Sequence, residues 1–138
     1  MLRNSGCWIL MGLILGASTP MSFAEETDTT VYELRTYTTH PGRLPALNKR
    51  FKEHTTKLFE KHGMTNVMYW TPVDKEDTLI YVLKHKSQDA AKKSWDSFRS
   101  DPDWKKAAME SEQDGKIVMK VESITMKTTD YSPTPGKD

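Results

Sequence analysis

The sequence predicts an α+β fold, a ferredoxin-like plait of order βαββαβ with an antiparallel sheet and both helices on one face. Three observations lead there. Four short segments are rich in β-branched and aromatic residues and alternate in character. Two intervening stretches place apolar residues at steps of three and four, the period of a helix with one buried stripe. Proline and glycine punctuate the junctions, at Pro41-Gly42, Gly63, Pro72, Pro102 and Gly115. Two βαβ halves of this kind make a plait. Right-handed crossovers then set the strand order as 4-1-3-2.

The first strand is Val31-Tyr32-Glu33-Leu34-Arg35-Thr36-Tyr37. Its alternation separates Tyr32 and Leu34 from Glu33, Arg35 and Tyr37. His40-Pro41-Gly42 is a turn, and a helix starts at Arg43 with Pro45 tolerated in its first turn. Leu44, Leu47, Phe51, Thr55, Leu58 and His62 make its inner stripe, and Gly63 is its expected cap. Lysines and arginines alternate with glutamates on the wet side. The second strand is Asn66 to Thr71, ended by Pro72. The third, Thr78 to Leu83, is apolar on both faces, as a central strand is.

Ser87 caps the second helix, where Ala91, Trp95 and Phe98 face inward. Asp101-Pro102 restarts the helix as an N-cap followed by proline, with Trp104 and Ala108 inward. The fourth strand runs from Ile117 to Thr128.

Each helix has a single apolar stripe, so the helices can cover only one face of the sheet. The expectation is that Glu33, Arg35 and Tyr37 lie on the other face. Val118, Lys120, Glu122 and Ile124 of the last strand are expected beside them. That face is half apolar and large, and a second copy stacked on it would keep it dry.

Residues 1–24 read as a secretory signal. Arg3 is the one charged side chain beside the amino terminus, Cys7 to Ala17 is an apolar run of 11, and Ser22-Phe23-Ala24 suits cleavage before Glu25. The run is too short to span a membrane, and the segment lacks the arginine-rich amphipathic character of a mitochondrial presequence. Export to the periplasm or medium is the expectation. Residues 25–30 form a polar lead, 31–128 the domain and 129–138 a tail with two prolines and a glycine.

The remaining 114 residues hold 36 apolar side chains, no cysteine, and equal numbers of acids and bases, 19 each. A neutral chain is a poor match for nucleic acid or an anionic membrane surface. Absence of thiols excludes cysteine nucleophiles and thiolate metal sites. A small exported domain without disulfides finds stability elsewhere, commonly in oligomerisation. No phosphate-cradling glycine loop, nucleophile elbow or H-E-x-x-H motif is present.

Seven residues are candidates for a site. Glu33, Arg35 and Tyr37 could anchor a small anionic or phenolic ligand, with Arg35 as the charge partner. They could equally form a cross-strand or cross-dimer ion-pair set with Lys120 and Glu122. Tyr69, Trp70 and Tyr81 could line a pocket for a flat ligand, or be core or interface aromatics. His85 could be a general base, or a haem or metal ligand, or a structural histidine. No second histidine stands at a chelating distance along the chain, so no metal is expected and haem is only an alternative. Trp95, Phe98 and Trp104 read as core.

The chain resembles the NIPSNAP family in Tyr32-Glu33-Leu34-Arg35-Thr36-Tyr37 with Pro41-Gly42, and in Asn66-Val67-Met68-Tyr69-Trp70. Further resemblance lies in Leu79 through His85-Lys86-Ser87 to Ser94-Trp95 and Phe98-Arg99. It continues through Asp101-Pro102-Asp103-Trp104, Glu112, Asp114-Gly115, Val121-Glu122-Ser123 and Asp130-Tyr131-Ser132-Pro133. The resemblance spans roughly Val31 to Pro133. It implies a dimeric α+β barrel, in which two plaits close their open faces on each other, and no agreed enzymatic activity. The expectation is therefore an exported homodimer that binds a small molecule or a protein. The alternative is a cofactor-free or haem-dependent oxidoreductase using the barrel cavity.

Overall fold

The computed structural model of the chain describes residues 29–133. The leader at 1–24, the start of the polar lead and the last five residues of the tail lie outside the described residues. The strands are β1 (Val31–Thr39), β2 (Thr65–Trp70), β3 (Thr78–His85) and β4 (Val118–Met126). Helices α1 (Leu44–Arg50) and α2 (Thr56–Lys61) join through a π-helical turn, Phe51–Thr55. Helices α3 (Gln88–Ser100) and α4 (Pro102–Ser111) follow β3. The sheet order is β2-β3-β1-β4 with every pair antiparallel. This is the expected plait, read from its opposite edge.

The punctuation works as the residues demand. Gly63 holds φ +80 after α2, a conformation that strains any side chain. Ser87 accepts the Ala90 N–H at 3.0 Å, and Asp101 accepts the Asp103 N–H at 2.8 Å ahead of Pro102. Inside the first helical stretch, Thr55 Oγ1 donates to the Arg50 carbonyl and Thr56 Oγ1 to the Phe51 carbonyl, both at 3.2 Å. The Thr56 N–H also reaches back five residues to Phe51. Threonine hydroxyls on widened carbonyls support the π turn. Arg50, one ordinary turn after Leu47, and Phe51 both face inward at the entry to this turn. In α4 the inward alanine is Ala107, 3% exposed, rather than Ala108.

The core lies between sheet and helices. Leu47, Phe51, Phe59, Tyr81, Leu83, Trp95 and Phe98 are its centre. Phe51 meets Tyr81 edge-on at 5.2 Å, and Phe59 meets Phe98 at 5.0 Å.

Register corrects one expectation. Glu33, Arg35 and Tyr37 face the helices, not the open side. Arg35 stands between Tyr81 and Ser123, and Tyr37 packs on Phe51 of the π turn. The open face holds the even residues of β1. Leu34 is flanked there by Val82 and Ile124, with Met68 beyond, and Thr36 by Ile80 and Glu122. Lys120, Glu122 and Ile124 do lie on the open face, but Val118 crosses to the helix side, because a bulge between Thr38 and Thr39 shifts the register. The reason for the reversal is chemical. Counting charge as outward fails where the interior supplies the charge with partners, and here it supplies Glu33 with four.

Candidate functional site

Glu33 is 6% exposed in the middle of β1 and accepts four hydrogen bonds. Oε1 takes the Arg35 guanidinium at 2.7 Å and the Ser123 hydroxyl at 2.8 Å. Oε2 takes His85 Nε2 at 2.9 Å and the Trp95 indole N–H at 2.7 Å. Each donor comes from a different place: β1 itself, β4, β3 and α3. Burial pushes the carboxyl up, but the four donors outweigh it and hold Glu33 at about 2. It is an anion throughout the physiological range and has no proton to exchange there.

Arg35 lies 4.3 Å above the Trp95 ring and 5.6 Å from the centre of Tyr37. Burial disfavours its charge, yet Tyr37, Tyr81 and Glu33 raise it above its ordinary value. Its Nε has no partner among the described residues. The same holds for the Tyr81 hydroxyl and for His85 Nδ1, both buried. Burial raises the Tyr81 phenol well above its ordinary value, and it raises Tyr69 too. Tyr69 stacks on Tyr81 at 5.2 Å and 20°, and its hydroxyl donates to Asn66 Oδ1 at 2.5 Å.

Six of the seven predicted residues therefore meet on the helix side: Glu33, Arg35, Tyr37, Tyr69, Tyr81 and His85. Trp70 does not. It is 45% exposed and belongs to the open face beside Ile80. The expected ion-pair set is divided by the sheet. Glu33 pairs with Arg35, while Lys120 and Glu122 pair with each other at 2.9 Å on the opposite face. His85 is 2% exposed, with Nε2 on Glu33 and the unpartnered Nδ1 buried. Among the described residues, no three His, Cys, Asp or Glu side chains are grouped to hold a metal, and no helix is long and apolar enough to cross a membrane.

Three functional-looking residues escaped the sequence. Trp95 is core, as read, but its N–H also anchors Glu33. Ser123 lies in the Val121-Glu122-Ser123 segment of the family resemblance, but its role appears only from its position opposite Arg35 in the register. Arg50 was counted with the solvated charges, yet it is 5% exposed. It lines a cleft of about 310 Å³ between α1 with its π turn and α4. A second cleft of about 340 Å³ shares Glu53, His54, Ala107 and Glu110 with the first. None of the seven predicted residues lines either cleft.

Comparison with solved structures finds the same architecture. An uncharacterised NIPSNAP-like domain protein from Burkholderia xenovorans is similar with a TM-score of 0.68, at 11% identity, covering 78% of this chain and 91% of the other. A NIPSNAP family protein of unknown function from Agrobacterium tumefaciens gives 0.67 at 21% identity, covering 78% and 95%. SnoaB, a cofactor-independent oxygenase from Streptomyces nogalater, gives 0.54 at 15% identity, covering 78% and 98%. No curated protein matches in sequence. At these identities the structural likenesses show the fold alone. The NIPSNAP family model matches residues 32–133, nearly the whole described domain, and so the chain belongs to the NIPSNAP family.

Proposed function

We propose that this chain is an exported, homodimeric binding module without catalysis, two copies meeting through their open sheet faces. The observation that carries the reading is the character of that face. Leu34, Val82, Met68 and Ile124 form one row across all four strands, with Ile80 and Trp70 beside it. Met68 is 52% exposed, Trp70 45% and Ile124 58%. A contiguous apolar area of this kind, on the order of several hundred Å², marks an interaction surface. A sheet face whose charges Lys120 and Glu122 already pair with each other suits a copy of itself better than a charged partner. The neutral balance of residues 25–138 agrees with that.

Binding is favoured over catalysis by Glu33. A carboxylate held at about 2 by four donors is a fixed charge that organises the interior, not an acid or a base at neutral pH. The oxygenase alternative draws on the likeness to SnoaB, which concerns the fold.

Light scattering of the chain beginning at Glu25 tests the reading, with a dimer expected at micromolar concentration. Trp70→Lys, at an exposed position, is expected to leave a folded monomer. An aromatic buried in an interface is worth about 2–4 kcal/mol of association. A wild-type monomer at that concentration overturns the proposal. Export is tested by the N-terminus of protein recovered outside the cytoplasm, expected at Glu25.

A further inference from the structure

We propose that the seam between α1 and α4 binds a small organic anion with an apolar tail, its carboxylate or phosphate head on Arg50. This rests on the reading of the chain as a binding module, though not on the dimer. Arg50 sits at the base of the first cleft with its side chain 4% exposed. Its Nη1 donates to Ser111 Oγ at 3.2 Å, with Glu112 Oε1 at 3.6 Å, and its guanidinium lies 5.2 Å from the Trp104 ring centre. Its Nε has no partner among the described residues. Burial lowers its basicity by more than Glu112, Tyr37 and Tyr81 restore. A desolvated cation with an idle donor is the complement of an anionic head.

Arg43 reinforces the same end. It precedes Arg50 by seven residues, two helical turns, and lines the same cleft. Its Nη2 is spent on the Gly115 carbonyl at 3.0 Å, and its Nε is buried without a partner among the described residues. Glu53, Glu110 and Asp114, all exposed, line the same cleft together with Lys49 and His54, so the buried Arg50 is the cation that solvent screens least. The second cleft continues the seam from the shared residues Glu53, His54, Ala107 and Glu110 to Leu58. Leu58, Ala107 and the aliphatic stems of Lys57 and Lys106 give the tail an apolar bed. Each volume is at the lower end of the range for small-molecule sites.

The test follows the Arg50 Nε–H resonance by NMR in the chain from Glu25, titrated with octanoate, inorganic phosphate and octylamine at constant ionic strength. Arg50→Lys assigns the resonance by its loss. Octanoate is expected to shift it saturably. Phosphate, having a head and no tail, is expected to bind about tenfold more weakly or worse, and octylamine not at all. Arg43→Gln is expected to weaken octanoate by about tenfold, and it reports on the site even if Arg50→Lys fails to fold. No saturable shift with octanoate, or equal binding of octylamine, overturns the proposal. Phosphate binding as tightly as octanoate overturns the tail. Light scattering of the same samples keeps the two readings apart: a dimer that ignores octanoate sinks the cleft alone, and a monomer that binds it sinks the dimer alone.

Discussion

Replacing Glu33 by glutamine removes one charge and almost no volume, which makes it the sharpest probe of the interior. The gap between an ordinary value of 4.5 and about 2 corresponds to about 3 kcal/mol of native stability. Because the folded value is depressed, that stability is complete above pH 4.5 and fades as pH falls towards 2. The side chain is 8% exposed, so solvent screening takes little from it. At neutral pH, Glu33→Gln also leaves Arg35 without its counter-charge, and breaking a buried pair costs about 3–5 kcal/mol. Urea unfolding of wild type and variant at a series of pH values measures the difference. It is expected to be at least about 3 kcal/mol at pH 7 and to shrink steadily as pH drops from 4.5. A difference below about 1 kcal/mol at neutral pH, or one that stays constant down to pH 3, refutes the picture of Glu33 as a desolvated anion satisfied by four donors.

The buried phenols of Tyr69 and Tyr81 are expected to stay protonated up to about pH 11, so Tyr81→Phe should leave the phenolate absorbance of the folded protein at that pH unchanged; a loss of amplitude speaks against burial. Trp95→Phe keeps a ring beneath Arg35 but removes the indole donor. A loss of about 1–3 kcal/mol by urea unfolding is expected. Ser87→Ala removes the cap of α3 and is expected to lower stability by about 1 kcal/mol, again by urea unfolding, without altering the oligomer seen by light scattering.

Much of the fold is legible because local chemistry and global topology agree. Ser87, Asp101-Pro102 and Gly63 each announce a boundary that the structure places within a residue or two. The alternation of β1 separates the right two sets of residues. It cannot say which set faces the helices, because parity is symmetrical. Charge is what usually breaks that symmetry, and here it misleads. Glu33 and Arg35 turn inward, where His85, Trp95 and Ser123 wait on three other elements. Those donors are 52, 62 and 90 residues away, so no local pattern records them. Arg50 is hidden for a different reason. It stands at i+3 from Leu47, where the period permits burial, but its charge reads as solvated until Ser111 and Glu112 are brought beside it. The pairing of Arg35 with Glu33 is a local i,i+2 relation on one face of β1, whereas the sequence suggested a wider set that included Lys120 and Glu122.

The tie between Glu33 and Ser123 also sets a timetable. β1 is made first, but both its neighbours come later: β3 ends at His85, and β4 closes only at Met126. Until the last strand arrives, Glu33 lacks a donor and β1 is an open edge. A chain built this way gains its closure only near the end of its length, and contacts that span so much sequence form slowly. For a domain proposed to be exported, closure by the last strand would leave the chain open until nearly all of it has been made.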